Sequence, residues 1–283
     1  MTPRVFALLF AVPKSPSISA CQCDTRLGML SPLIQLCAVA VLCLAVPEAA
    51  QAETCRNTSF EGAAYIACNF NPAKQDLRLF WRGADGKPYK TFGALARDLK
   101  SNGKSLQFAM NGGMYQDDFQ PVGLYVENGR ELMRANIATL NGTPSSIPNF
   151  FKKPNGVFYI GNGAAGILET GRFLAERPDA NFATQSGPML IIDGAIHPAF
   201  IVNSTDRKMR NGIGVTSPTE VHFVITKGRV SFYEFARFFR DGLGCRNALF
   251  LDGGVAPGLY APELGRNDPP GHGGYGPIIA VVD

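Results

Sequence analysis

The chain has 283 residues, 46% hydrophobic and 18% charged, with 27 Lys and Arg against 23 Asp and Glu for a formal charge of +4. These charges are scattered, without the basic stripe that tracks a phosphate backbone, which excludes a nucleic-acid-binding module. No internal repeat or low-complexity run is present, which excludes a solenoid or other repeat array.

Residues 1–52 read as a secretory signal. Leu30 to Val46, "LSPLIQLCAVAVLCLAV", is mostly apolar, and "PEAAQA" ends on Ala50-Gln51-Ala52, a small-x-small pattern with cleavage expected after Ala52. The run is short for a membrane span and is interrupted by Gln35. An uncleaved anchor is the second reading, and Met29 is an alternative start to Met1. No twin-arginine pair is present, which points to the general secretory route. The expected mature protein, residues 53–283, is periplasmic or secreted and has no membrane span. It loses three of the 27 basic and two of the 23 acidic residues, leaving a charge of +3. About 230 residues remain, enough for one substantial core.

Four of the seven cysteines leave with the signal. In an oxidising compartment Cys55 and Cys68, on either side of "RNTSFEGAAYIA", are expected to pair and pin an N-terminal strand. Cys245 reads as a buried, inert thiol.

Along the mature chain, "AAYIACNF" and "DLRLFWRG" predict two strands around the turn "NPAKQ". Thr91 is a predicted N-cap; Phe92, Leu95, Ala96 and Leu99 then form the stripe of a helix closed near Gly103. Leu106, Phe108 and Met110 alternate as a strand that stops on Asn111-Gly112-Gly113. The chain resumes as a strand at Gly123–Val126 and turns at Asn128-Gly129. "NGVFYIG" and "GILETGRF" are the next predicted strands, and "PMLIIDGAIHPAF" a hairpin around Asp193-Gly194. "GIGVT" and "EVHFVITKGRVSFYEF" supply more strands, with a turn at Lys227-Gly228 and His222 on the outer sheet face. Ser231 and Glu234 form a capping box, and Phe232, Phe235, Ala236, Phe239 and Leu243 line a second helix. "NALFLDGG" predicts a buried strand ending on Asp252-Gly253-Gly254, and "PIIAVVD" the last strand. Many strands and few helices, without regular β-α alternation, imply an α+β single domain: a mixed, largely antiparallel β-sheet core with a few covering helices.

Two stretches share a grammar. "FAMNGGMY" and "LFLDGGVA" are each an apolar strand, a polar residue and two glycines. On neighbouring strands they would aim Asn111 and Asp252 into one cleft lined by the backbone amides of Gly112, Gly113, Gly253 and Gly254. Two ordinary hairpin turns are the bland alternative. "ATQSGP" feeds Gln185, Ser186 and Gly187 into another strand. In "DRKMRNGIGV", Arg207, Lys208 and Arg210 precede a glycine-flanked strand. Arginine there suits bidentate phosphate binding, against a solvated basic turn as the alternative.

Other motifs fail. "GNGAAG" copies a dinucleotide fingerprint, but the following "ILETGRF" lacks a clean helical stripe. His197, His222 and His272 are isolated, without zinc spacing, and no serine-hydrolase elbow occurs. No metal site is predicted and no cofactor is required. Asp117 and Asp118 leave room for a divalent cation, but read more simply as exposed loop aspartates at the cleft mouth.

"FAMNGGMY…PVGLYVENGRE", "KPNGVFYI", "ATQSGPMLIIDGAIHPAF", "RNGIGV" and "FARFFRDGLGCRNALFLDGG" occur in one order. Together they resemble the bacterial, signal-bearing branch of the phosphodiester glycosidase domain family, from roughly Cys55 to Asp283. The resemblance implies hydrolysis of a sugar C1–O–P bond to free sugar and a phosphomonoester. It maps the family's pattern onto Asn111-Gly112, Ser186-Gly187, Arg210 and Asp252-Gly253-Gly254. Arg210 is then expected on phosphate and Asp252 as the catalytic carboxylate. Asn111, Gln185, Ser186, Gly187 and Asn211 are expected to position the substrate. Asp193 is a second carboxylate candidate or a plain hairpin-turn residue. One departure stands out: Val255 and Ala256 follow Gly254 where relatives tend to have Gly or Val and then Ser. The expected partner is a small-molecule or glycan phosphodiester. The alternatives are a non-catalytic envelope protein binding glycans or glycolipid phosphodiesters, and a metal-assisted phosphodiesterase.

Overall fold

Three strands, β1 (Cys55–Phe60), β2 (Ala63–Phe70) and β3 (Asp76–Phe80), begin the computed structural model, which describes residues 54–143 and 146–283. The expected signal segment lies outside the described residues. Helix α1 (Phe92–Ser101) follows, with Thr91 Oγ1 accepting from the Ala94 N–H as the cap pattern predicts. Then come β4 (Leu106–Asn111), β5 (Tyr125–Glu127), β6 (Arg130–Met133), β7 (Gly156–Gly161), β8 (Ala164–Glu169) and helix α2 (Thr170–Glu176). Next are β9 (Phe182–Ser186), β10 (Met189–Ile192), β11 (Ala195–Ile196), β12 (Arg210–Ser217), β13 (Glu220–Thr226) and helix α3 (Phe232–Arg237). The chain ends with β14 (Asn247–Gly253), β15 (Leu259–Ala261), β16 (Arg266–Asn267) and β17 (Ile278–Val282).

The strands form three sheets, in the orders β1-β2-β13-β12-β14-β10-β11, β16-β15-β4-β17-β3 and β6-β5-β9-β7-β8. Every pairing between these strands is antiparallel. This is the expected α+β single-domain architecture, built as three sheets around one core.

Strand periodicity explains the packing. Alternate residues point to opposite faces, and the central strands are apolar on both. Val221, Phe223 and Ile225 of β13, Phe108 and Met110 of β4, and Phe158 and Ile160 of β7 enter one shared core. Phe223 is its centre, with ring centroids 5.8 Å from Phe70, 5.0 Å from Phe108 and 6.3 Å from Phe158, so all three sheets meet on one aromatic cluster. The intervening residues face outward, and each outer face has a helix. Phe235 and Ala236 of α3 cover the seven-stranded sheet, Phe92, Leu95 and Leu99 of α1 the β4–β17 sheet, and Phe173 of α2 the β7–β9 sheet.

Several local expectations change. The strand predicted over "GILETGRF" stops at Glu169, where the Glu169 carboxylate accepts from the Arg172 N–H and starts α2. "GNGAAG" spans the β7–β8 hairpin, with Asn162 and Gly163 in the turn and Gly161 and Gly166 paired in the strands, as the missing helical stripe implied. The predicted second helix ends at Arg237 and continues as a wider π-type turn over Phe238–Gly242. His222 is buried, with Glu220 Oε1 3.7 Å from its Nε2. Cys55 and Cys68 face each other across β1 and β2 and are disulfide-bonded. Cys245 is free and buried, and burial pushes its thiol up to about 12.

Candidate active site

At one end of the three sheets, polar side chains replace apolar ones and bind the sheets to one another. Asn111, the last residue of β4, is fully buried. Its Oδ1 accepts from Asn211 Nδ2 (2.6 Å) and from the Gly258 N–H (2.9 Å). Asn211, on β12, accepts in turn from the Asp252 N–H at 3.0 Å. From the third sheet, Thr184 Oγ1 donates to Gly112 O (2.8 Å) and Ser186 Oγ to Leu251 O (3.1 Å). The predicted strand ends therefore do converge, with Asn111, Ser186, Asn211 and Asp252 in one network.

A bulge delivers Asp252 to this network. Asn211 pairs with Asp252 but Gly212 pairs with Phe250, so Leu251 is an extra residue in β14. Without that insertion Asp252 would share the face of Phe250, which packs under α3. Directly opposed residues share a face, so the bulge re-aims the carboxyl toward the side of Asn211.

The carboxyl lies in a cleft of about 480 Å³ with aromatic walls: Tyr115, Phe119, Phe150 and Phe151. Asp117, His272 and Ala256 share the lining. Burial pushes the Asp252 carboxyl up to about 7, although the Gly253 N–H, donating at 2.7 Å, favours its charged form. The Tyr115 phenol is raised to about 12, first by burial and then by the Asp252 charge, and it donates to Gly274 O at 2.6 Å. Asp117 was expected at the cleft mouth, whereas His272 carried no distinguishing pattern in the sequence. His272 enters through the Pro- and Gly-rich loop between β16 and β17, a placement that only the folded chain reveals. A larger groove of about 650 Å³, lined by Thr54, Gln107 and Asp283, lies at the opposite end of β4 and holds none of the residues expected to bind or act on substrate.

Other predicted residues have different duties. Gln185 makes four hydrogen bonds within the protein: Oε1 accepts from the Leu124 and Asn136 N–H groups, and Nε2 donates to Asn136 O and Thr170 Oγ1. Its polar capacity is committed to fastening loops, contrary to the expected substrate contact. Three of the four glycine amides expected to face ligand are also taken: Gly112 N–H by Pro277 O, Gly253 N–H by Asp252 and Gly254 N–H by Met209 O. Gly187 packs so closely on Asn155 that a Cβ would come within 2.6 Å of the Asn155 Cβ, a packing constraint where a ligand contact was expected. Asp193 is an exposed hairpin residue with φ +46°, paired with Arg172 at 3.2 Å. It abuts Asn247 at the far end of β14 from Asp252, so it supplies no second carboxylate to this cleft.

Arg210 is 1% exposed and neighbours Asp252, being paired across strands with Gly253. Alternation turns it to the face opposite Asn211, and it does not line the cleft. Its Nε donates to Val230 O (3.0 Å), its Nη2 to Asp206 O (3.3 Å), and its guanidinium lies 3.6 Å from the Phe232 ring centroid. Burial lowers it to about 10. Among the described residues, no three His, Cys, Asp or Glu side chains assemble into a group able to hold a metal ion.

Comparison with known proteins adds to this geometry. The phosphodiester glycosidase family description matches residues 104–282. The chain is 35% identical over 190 residues to the uncharacterized protein YigE of Escherichia coli (strain K12), covering 67% of this chain and 72% of that protein. Among solved structures, it resembles the catalytic domain of zebrafish N-acetylglucosamine-1-phosphodiester alpha-N-acetylglucosaminidase, auto-inhibited by its pro-peptide. The TM-score there is 0.54 at 14% identity, over 80% of this chain and 81% of that one. A hypothetical protein from Synechocystis matches with TM-score 0.50 and 16% identity, over 81% and 61% of the two chains. At these identities the structural likenesses show a shared fold.

Proposed function

The chain belongs to the phosphodiester glycosidase family, and from that membership we propose that it hydrolyses the C1–O–P linkage of a sugar-1-phosphodiester, releasing free sugar and a phosphomonoester. The observation that carries this reading is Asp252: a carboxyl raised to about 7, set by a bulge in an open cleft with aromatic walls.

A phosphate monoester is a good leaving group, so the reaction needs little proton donation to it. It needs a carboxylate near an oxocarbenium-like carbon and a cation for the phosphate. Ionised Asp252 faces C1 and takes the proton of the attacking water. The water oxygen bonds to C1 as the C1–O pair leaves on the phosphate. Tyr115, Phe119, Phe150 and Phe151 offer flat faces to the sugar, while Asn111 and Asn211 hold the Asp252 backbone in place. Arg210, on the opposite face of the β12–β14 pair, does not reach the phosphate of a substrate held in this cleft. Ala256 gives the cleft wall no hydroxyl, so the polar contacts to substrate fall to Gln116, Asp117 and His272.

The test is product analysis on a panel of sugar-1-phosphodiesters, led by N-acetylglucosamine-1-phosphodiesters because the zebrafish enzyme's name specifies that sugar. Free sugar plus phosphomonoester is expected from the wild type, and a loss of at least about 100-fold for Asp252→Asn, the scale of deleting a principal electrostatic or acid–base group. Sugar phosphate as product would overturn the reading in favour of a phosphodiesterase. The reading includes export: cleavage after Ala52 should leave Glu53 as the first residue of the mature protein, which intact mass measurement checks.

A further inference from the structure

Beside the cleft lies a second concentration of charge. Arg210 is almost wholly buried, yet among the described residues no carboxylate lies within hydrogen-bonding distance of it; Asp206 Oδ2 is 3.8 Å away. A buried guanidinium ordinarily needs an ionised partner to offset its desolvation. Asp206 is shared with Lys208 at 3.2 Å and is itself half exposed. Lys152 Nζ, which donates to Asn149 Oδ1 at 2.9 Å, lies 5.8 Å from the centroid of the Phe232 ring on which Arg210 lies. Its ammonium is lowered by burial and further by Lys208 and Arg210, with Asp206 opposing, so these four charges share one field. Nearby His197 adds none: its Nε2 meets Lys153 O and its Nδ1 accepts from the Ala199 N–H, which describes a neutral ring.

We propose that Lys152, Lys208 and Arg210 form an anion site that holds a phosphomonoester dianion, so that the protein retains the phosphorylated product of its own reaction. Three cations face one carboxylate, an excess of two positive charges. A phosphodiester carries one negative charge. A phosphomonoester carries nearly two above its second pKa of about 6. The site therefore favours product over substrate. Arg210 Nε and Nη2 are occupied by backbone carbonyls, while Nη1 has no acceptor among the described residues and is free to donate. The Asn149–Phe151 turn links the two places: Phe150 and Phe151 form a wall of the cleft, and the next residue, Lys152, stands in the anion site. The proposed reaction is needed only to name the retained product; the site stands on its own charges.

The test is isothermal titration calorimetry at pH 7.5 on the mature protein. The probes are inorganic phosphate, methyl phosphate and dimethyl phosphate. Saturable binding is expected for the first two, with the monoanionic diester about tenfold weaker or more, roughly one charge-assisted contact. Lys152→Ala should weaken phosphate about tenfold and the more exposed Lys208→Ala about threefold, with circular dichroism reporting the fold. No saturable phosphate binding by folded wild type would overturn the site, and so would undiminished binding in both variants. Equal affinity for dimethyl phosphate would overturn the dianion preference. Phosphate binding without sugar release from any phosphodiester would remove the proposed reaction and leave the site. Sugar release without phosphate binding would do the reverse.

Discussion

Asp252 bears two opposite consequences of one shift. Its folded-state value of about 7 lies well above the ordinary 3.8. In its proposed catalytic role it must be ionised, so the rate should climb with pH and level off above about 7, and Asp252→Asn should remove that limb along with the activity. Stability moves the other way. The folded state holds its proton to higher pH than the unfolded chain does, so ionisation begins to cost stability as pH rises past 3.8. The cost is complete above 7. Asp252→Asn should be more stable than wild type by about 2–4 kcal/mol at pH 8 and close to it at pH 4, as read by thermal denaturation. Gln185 shows the opposite kind of residue. It looked like a ligand contact because a polar side chain before Ser-Gly at a strand end reads that way. Its four partners lie on Leu124, Asn136 and Thr170, too far along the chain for any local pattern to announce. Gln185→Leu should lower stability by about 2–4 kcal/mol in chemical denaturation, through buried groups left unpaired.

At the scale of elements, strand alternation carried most of the prediction. Where apolar residues alternated or ran unbroken, as in β4, β13, β14 and β17, strands form at the expected places. The misreadings share a cause. α2 is seven residues long and depends on the Glu169 cap, a signal weaker than the apolar run before it. The bulge at Leu251 leaves no trace in the sequence, yet it decides which side of the sheet Asp252 faces. Alternation also separates Arg210 from Asn211, two adjacent residues expected in one cleft. β1 is a sheet edge, and the disulfide ties it to β2. The Cys55→Ala/Cys68→Ala double variant should lose about 2–4 kcal/mol, measured as a fall in Tm, because the unfolded chain regains the freedom of the closed loop. The candidate cleft sits at the other end of the sheets, so the proposed sugar release per folded molecule should be unchanged in that variant.

Across the whole molecule, three sheets share one core and each carries a helix on its outer face. Composition and strand count were enough to indicate an α+β fold with a few covering helices. The division into three sheets was not legible, because it depends on which distant strands pair. Phe223 touches aromatic rings from all three sheets. Phe223→Ala should therefore cost about 3–5 kcal/mol while unfolding remains a single transition, with fluorescence and circular dichroism midpoints coincident. Two separated transitions would mean that the sheets are independent units. The network binding the sheet ends also sets a schedule. Asn111 and Asn211 are 100 residues apart, and Asn111 and Gly258 are 147 apart. Such long closures are slow to form, since chain entropy is lost before any contact repays it. A growing chain thus holds fragments of the cleft and no complete site. The cleft comes into being only when its last strands arrive.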